Sequence, residues 1–309
     1  MTDIILQAGR AAVELAFFIL LPMMIVMLAI MRLLEAKGIL QAIVDKLTPI
    51  LMPLGIPGLG IFALLQVLFV SFAAPLATLA MMDKNKLPYR HIAATLALVF
   101  GAAQANAVFP MTALGLNGTL TIAISAFAAL LGAAATYHWF ARHLPDEAEI
   151  DEPRPKHRSA DDAKGVLDVI NHAGGEAFGI AISALPMLVI SLCLVYLLRD
   201  LGAIAAIETF TAPFFSWLEL PSSSALIIVT KAIAGGTAML AVSADLLEQN
   251  LLSIAELNRI AGLTIHPFDL AGIAIFISAG SRVAKVLKPA IYGALIAITI
   301  RSLAHFVIW

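Results

Sequence analysis

Lys231 and the glycine pair that follows it form a polar interruption in an apolar part of this sequence. The stretch runs from Thr230 through Gly235 and Gly236 to Asp245. A lysine at mid-span costs about 2.5–3.5 kcal/mol to insert, so it usually faces a cavity or a partner. The glycines would break the helix and expose backbone groups that can hold a polar or charged solute. Alternatively, Lys231 extends to the interface and the glycines allow close helix packing.

Two carboxamides form a second polar cluster, in the segment GAAQANAVFP. Gln104 and Asn106 are two residues apart, so they point to different sides of a regular helix. A carboxamide both donates and accepts hydrogen bonds, which suits a neutral polar solute such as a sugar or a base. Hydrogen bonding between helices, worth about 0.6 kcal/mol on average in membranes, is the alternative interpretation.

The third cluster lies in TIHPFDLAGIAIFISAGSR, which begins near His266 and closes with Ser281. Pro267 removes a backbone hydrogen bond beside His266, and Asp269 follows. A histidine and an aspartate inside a span could relay protons or coordinate an ion. Two ligands are too few to define a metal site, so the sequence leaves the metal unknown.

An internal repeat relates these clusters. Residues 21–57 recur as residues 185–221, and both copies open with Leu-Pro-Met. Proline and glycine mark helix starts and breaks, so matched positions indicate one backbone plan used twice. The matches are all 164 residues apart: Pro22 with Pro186, Gly38 with Gly202, Pro49 with Pro213, and Pro57 with Pro221.

The same spacing relates polar positions beyond those segments. Gln66 and Ser71 correspond to Thr230 and Gly235 in the other copy. Equivalent polar positions in both halves favour one shared central site, so Gln66 is a further candidate solute-binding residue.

The composition predicts an integral membrane protein. Of 309 residues, 61% are hydrophobic and 13% are charged, against about 25% charged in a soluble domain. The net charge of −2 gives no information about partners, but the lack of a basic stripe argues against nucleic-acid binding. Cys193, the single cysteine, gives no disulfide framework. No catalytic or cofactor-binding motif is present, so we predict neither an enzyme nor a bound cofactor.

The apolar pattern predicts an all-α polytopic bundle of two repeats. The predicted divisions are a first transmembrane repeat at 1–142, a charged flexible linker at 143–164 and a second repeat at 165–309. We expect about 8–10 membrane segments, including short or re-entrant helices.

The number of crossings depends on one short helix in each half, 39–54 and 203–217. If these helices cross, each half has five spans and the repeats are inverted. If they lie on the surface, each half has four spans and the repeats are parallel. Positive charges fit the four-span arrangement, whereas inverted repeats are the commoner plan in transporters.

The duplicated plan resembles the nucleoside-recognition, or Gate, domain family. The segment TKAIAGGTAMLAVSADL is similar to the basic, glycine-rich segment of spore maturation protein B, and the first half to spore maturation protein A. The same domain type occurs in concentrative nucleoside transporters and in the membrane part of ferrous-iron transporters. The resemblance implies a membrane fold built from two inverted copies.

These observations together predict a multi-pass inner-membrane transporter of a small polar solute, such as a nucleoside, with the solute between the repeats. A homodimer and a coupling ion are also expected. The alternatives are a divalent-metal permease and a membrane assembly or maturation factor that transports nothing. The predicted solute-binding residues are Lys231, Thr230, Gly235, Gly236, Gln66, Gln104, Asn106 and Ser281, and the predicted ion-coupling residues are Asp245, His266 and Asp269.

Overall fold

The computed structural model is an all-α bundle, as predicted. It describes residues 2–145, 165–202, 209, 213, 215–216, 220–221 and 223–309. Most of the predicted linker, 143–164, and of the second short helix, 203–217, therefore lies outside the described residues. The helices are α1 Thr2–Ala36, α2 Ile39–Leu51, α3 Gly58–Phe69, α4 Pro75–Lys84, α5 Tyr89–Gly101, α6 Ala105–Ala113, α7 Gly118–Ala135, α8 Val166–Asp200, α9 Ser224–Glu248, α10 Ile254–Thr264, α11 Leu270–Ile277, α12 Ser281–Lys285 and α13 Leu287–Ile308.

One end of the bundle, the basic face, carries Lys84, Lys86, Arg90, Lys285 and Lys288. Hydrogen bonds across that end join the α4–α5 turn to the α11–α12 junction and to the end of α7. They run from the Arg282 guanidinium to the Leu87 carbonyl (3.0 Å) and from the Arg90 guanidinium to the Tyr137 carbonyl (3.1 Å).

The opposite end, the acidic face, carries Asp3, Glu14, Asp245, Glu248 and Glu256. Here the first turns of α1 and the last turn of α9 line a common cavity. The loop after α6 reaches α10, because the Asn117 amide donates to Asn258 Oδ1 at 2.7 Å.

The apolar pattern of residues 58–82 predicts a single third helix in the first half, but this segment folds back on itself. Its two arms, α3 and α4, are joined by a break at residues 70–74, and Thr78 Oγ1 donates to Gln66 Oε1 across them at 2.7 Å. Both outer ends lie at the basic face, since His91 Nδ1 is 2.9 Å from the Gly55 carbonyl and Arg282 N donates to Asp83 Oδ1 at 2.7 Å. We call α3–α4 the first hairpin.

Helix α9 also folds back, and we call it the second hairpin. A straight helix of 25 residues would be about 37 Å long. However, Ser223 Oγ, before its first residue, donates to the Leu251 carbonyl, beyond its last residue, at 2.8 Å. The bend is at Gly235, whose φ of 83° and ψ of −175° are not helical. Both ends of the second hairpin therefore lie at the acidic face.

The described chain passes between the two faces six times, through α1, α5–α6, α7, α8, α10–α11 and α13. By length and composition, five described segments could span a membrane: α1, α5–α6 taken together, α7, α9 and α13. Helix α9 is one of them although it doubles back. The short helix α2 begins and ends at the basic face. In the first half, the segment predicted as a third helix re-enters as the first hairpin, and the short helix begins and ends at one face. Helices α1, α5–α6 and α7 are its three passages between the faces.

Corresponding elements run in opposite directions. Helix α1 runs from the acidic to the basic face and α8 runs back beside it, as the paired side chains of Arg32 with Glu176 and Phe17 with Phe178 show. The first hairpin enters from the basic face and the second from the acidic face. The broken helices α5–α6 and α10–α11 are likewise opposed. This is the arrangement of an inverted repeat.

We predict that the basic face is cytoplasmic, because positively charged loops are retained there. In a Cys193→Ala background, cysteines at Asn85 and Lys285 should resist a membrane-impermeant maleimide in intact cells. Cysteines at Pro221 and Asn250, at the two ends of the second hairpin, should both react. Labelling at only one of positions 221 and 250 would contradict the folding back of α9. Labelling at 85 and 285, with protection at 221 and 250, would contradict the predicted orientation.

Candidate functional site

A cavity of about 560 Å³ lies in the middle of the bundle, where four interruptions of the helices meet. The turn of the first hairpin contributes Ser71, Phe72 and Ala73, and the break at the start of α6 contributes Gln104 and Asn106. The bend of the second hairpin contributes Gly235 and Gly236, and the break before α11 contributes Asp269.

Two of the breaks have a local cause in the sequence. The second hairpin bends at Gly235 because a φ of +83° is accessible to glycine and strained for other residues. Helix α10 ends before Pro267, which cannot donate a backbone hydrogen bond. Helix α5 ends where Ala102 becomes extended, with ψ of 158°. Helices α4, α6 and α11 start beyond these breaks, and the first amides of a helix have no partner within it.

Gln104 is 1% exposed and lines the cavity. Its side-chain nitrogen has no hydrogen-bond partner within the described part of the chain. That nitrogen packs directly against Gly236, so a methyl group at Gly236 would overlap it. Gln104 therefore brings a donor that is unpaired among the described residues from the first half of the chain against the bend in the second half.

Asn106 connects two of the breaks. Its Oδ1 accepts a hydrogen bond from the backbone amide of Phe72 at 3.2 Å. This bond holds the turn of the first hairpin against the start of α6. The same side chain is 6% exposed and lines the cavity, so it can contribute to a binding surface while it fixes the hairpin.

Lys231 and Asp269 form a buried ion pair. Lys231 is 2% exposed and is absent from the cavity lining, whereas Asp269 is 7% exposed and belongs to it. The other oxygen of Asp269 accepts from the Gly272 amide at 2.7 Å and so caps helix α11. Lys231 is thus a counterion that joins the second hairpin to α11, and its ammonium is engaged rather than presented to the cavity.

Three other predicted solute-binding residues lie away from the cavity. Gln66 lines a separate cavity of about 140 Å³, and its carboxamide accepts from Thr78. Thr230 is half-buried outside the central lining. Ser281 is exposed at the basic face, where it begins α12. Of the predicted solute-binding residues, the structure brings together Gly235, Gly236, Gln104 and Asn106.

The predicted ion-coupling residues do not converge. Asp245 lies at the acidic face, where it accepts a hydrogen bond from the Tyr196 hydroxyl at 3.1 Å. His266 is buried; its Nε2 is 2.9 Å from the Leu263 carbonyl and its Nδ1 accepts from the Phe268 amide at 3.2 Å. These bonds assign the neutral ring with the proton on Nε2. No group of three His, Cys, Asp or Glu side chains in the described ranges could hold a metal ion.

Two charged features of the site were missed by sequence reasoning. Glu176 lines the cavity and is held by the Arg32 guanidinium, with its closest contact at 2.9 Å. Arg301 is fully buried behind the two broken helices. An arginine inside the apolar run of α13 was the available signal for Arg301. The partner of Glu176 is 144 residues away and has no local signature.

The fold is similar to solved structures of the concentrative nucleoside transporter CNTnw. A substrate-bound, inward-facing structure has a TM-score of 0.67 at 18% identity and covers 93% of this chain and 74% of that chain. An outward-facing structure has a TM-score of 0.69 at 16% identity, with coverage of 99% and 82%. A structure in an intermediate state has a TM-score of 0.69 at 17% identity and covers 94% of this chain and 76% of that chain. No family model matches the chain, and no curated protein sequence matches it significantly. At these identities the likeness establishes the fold.

We expect Lys231→Met to destabilise the protein by about 3–5 kcal/mol, because it leaves the Asp269 carboxylate buried without its cation. Adding Asp269→Asn should recover part of that loss, since asparagine keeps the cap on Gly272 and carries no charge. Thermal unfolding of the detergent-purified variants measures both effects. Equal losses in the single and double variants would show that the ion pair does not account for the stability.

We expect Gly236→Ala to cost about 1–3 kcal/mol, because its methyl group would overlap the Gln104 carboxamide. Shortening the opposing side chain, in Gly236→Ala with Gln104→Ala, should recover stability. Gly174→Ala is the matched control, since a methyl group there meets nothing within 4 Å. Thermal unfolding in detergent tests the set. Failure of the double variant to recover would argue that the contact between Gln104 and Gly236 is unimportant.

Proposed function

We propose that this protein is a membrane transporter that moves a small, nucleoside-like solute through the central cavity. The observation that carries the proposal is the meeting of four chain breaks in one cavity of about 560 Å³. Interrupted helices near the middle of a bilayer are tolerated where they line a cavity or are buried in protein. A site between opposed repeats is the arrangement that many transporters use.

The residues in the cavity support the class of solute. Phe72, Leu20 and Ile275 give it apolar walls, while Gln104 and Asn106 supply carboxamides. A flat heterocycle with a polar edge combines the same two properties. The structural likeness to a concentrative nucleoside transporter in inward-facing, outward-facing and intermediate states supports this class.

We propose residues 1–142 and 165–309 as the two repeats, with the solute between them. The Gln104 donor comes from the first repeat and Gly236 from the second, and the two are in contact. Of the three predicted coupling residues, Asp269 lines the cavity and remains the candidate for linking transport to a cation or proton. The inner-membrane location, the coupling ion and self-association stay predictions.

The site geometry favours neither alternative function. A divalent-metal permease would need Asp245, His266 and Asp269 close together, and the structure separates Asp245 from the other two. An assembly factor does not require a central cavity lined by helix breaks. The transporter proposal therefore has the stronger structural support.

We predict that uridine or adenosine will raise the melting temperature of the purified protein, whereas ribose alone or amino acids will not. A ligand at 100 times its dissociation constant adds about 2.7 kcal/mol of stability. Gln104→Ala should abolish the ligand-induced shift, because the carboxamide lines the cavity. Uptake of radiolabelled nucleoside into proteoliposomes provides the functional measurement.

Gln66→Leu is the matched control, since it removes a glutamine carboxamide that lies outside the central cavity. It should lower the melting temperature of the free protein but preserve the ligand-induced shift. Loss of the shift in Gln66→Leu and its retention in Gln104→Ala would contradict the proposed site. An absence of both binding and uptake for every nucleoside would refute the proposed solute class.

A further inference from the structure

Arg301 has a setting that the proposed transport function does not explain. It lies in α13 with no exposed surface, and no carboxylate pairs with it among residues 2–145, 165–202 and 223–309. A charged group so placed inside a membrane bundle is expensive and usually has a role beyond filling space. The partners of its guanidinium indicate that role.

Both partners are backbone carbonyls near the ends of interrupted helices. Nη1 donates to the Gly101 carbonyl at 3.0 Å, and Nη2 donates to the Ala261 carbonyl at 3.5 Å. Gly101 is the last residue of α5, and Ala261 lies in the last turn of α10. The C-terminal end of a helix carries partial negative charge on such carbonyls, so one guanidinium stabilises both ends.

Glycines allow α13 to approach both helices at these points. A methyl group on Gly101 would overlap Ala297, and one on Gly262 would press against the backbone of Ser302. The side chain of Arg301 extends between two close helix–helix contacts. Its planar guanidinium has donors pointing in separate directions, so it can bond two carbonyls at once, which a lysine ammonium does less well.

The two helix ends that Arg301 joins lead directly to the cavity. Gln104 follows Gly101 by three residues, and Asp269 follows Ala261 by eight. Gln104 belongs to the first half of the chain and Asp269 to the second, and both line the cavity. The position of one break relative to the other therefore depends on what holds the two helix ends.

We propose that Arg301 is a positioning residue that fixes the two broken helices, and hence Gln104 and Asp269, relative to each other across the cavity. It acts from behind the site and touches no solute. The effect on solute affinity rests on the proposed transport function, whereas the effect on the two breaks does not. The two effects can be measured separately.

Hydrogen–deuterium exchange of the purified full-length protein tests the structural part without a solute. Arg301→Lys should speed amide exchange about tenfold in peptides covering 102–107 and 265–272 together, while α7 and the remainder of α13 stay unchanged. Ser302→Ala is the matched control, because its hydroxyl bonds within α13, to the Ile298 carbonyl. It should leave both break peptides unaffected. Exchange that rises throughout the bundle, or at neither break, overturns the proposal.

Solute binding provides the second measurement. If uridine binds, Arg301→Lys should raise its dissociation constant about tenfold, and Ser302→Ala should change that constant less than twofold. If the exchange result holds and no nucleoside binds to the unmodified protein, Arg301 is still a positioning residue and the proposed function fails. Unchanged uridine affinity in Arg301→Lys, with the unmodified protein binding normally, overturns the link to the site.

Gly101→Ala decides the question if Arg301→Lys does not fold. Its methyl group would push the end of α5 away from α13 and leave the contact between Arg301 and Ala261 in place. Exchange should then rise in the 102–107 peptide and stay unchanged in the 265–272 peptide. An equal rise at both breaks, or at neither, overturns the proposal.

Discussion

A helix that stops inside a membrane bundle leaves backbone amides and carbonyls without partners, and the described part of this chain has four such interruptions around one cavity. In hydrocarbon each unpaired group costs several kcal/mol, so such ends persist only where side chains or a polar cavity receive them. The Asp269 carboxylate receives an amide at the start of α11, and Asn106 receives the amide of Phe72. The satisfaction of these groups ties the polar side chains to the site and explains why they occur among apolar residues.

The opposed direction of corresponding elements brings the breaks to the same depth. One hairpin enters from the basic face and the other from the acidic face, and each ends near the middle of the bundle. Their bends, at Ser71–Ala73 and Gly235, line the same cavity. A parallel pair of hairpins entering from one face would leave the opposite half of the bundle without a matching break. The central position of the cavity therefore follows from the inverted arrangement.

Sequence patterns identified much of the cavity lining and less of its connections. The glycine pair at 235–236 predicts a bend. Gln104, Asn106 and Asp269 can be identified as candidates because polar groups are costly in a membrane span. Hydropathy cannot show whether an apolar segment crosses or folds back, which is why both hairpins were predicted as spanning helices. The ion pair was also hidden, since Lys231 and Asp269 are 38 residues apart. Without sight of that partner, the sequence alone predicts a ligand-binding role for Lys231.

At the cavity, the polar contacts within each half are hydrogen-bonded or ion-paired, whereas the contact between Gln104 and Gly236 of opposite halves is a packing contact. Within the first half, Asn106 hydrogen-bonds the turn of the first hairpin, and within the second half, Lys231 pairs with Asp269. Across the cavity, Gln104 of the first half packs against Gly236 of the second without a hydrogen bond from its side-chain nitrogen in the described structure. Separating these two residues breaks neither the ion pair nor the Asn106 hydrogen bond. A polar solute that entered between them would also give the Gln104 donor an acceptor. At the cavity itself, separating Gln104 from Gly236 therefore costs less than separating the hydrogen-bonded or ion-paired contacts within either half.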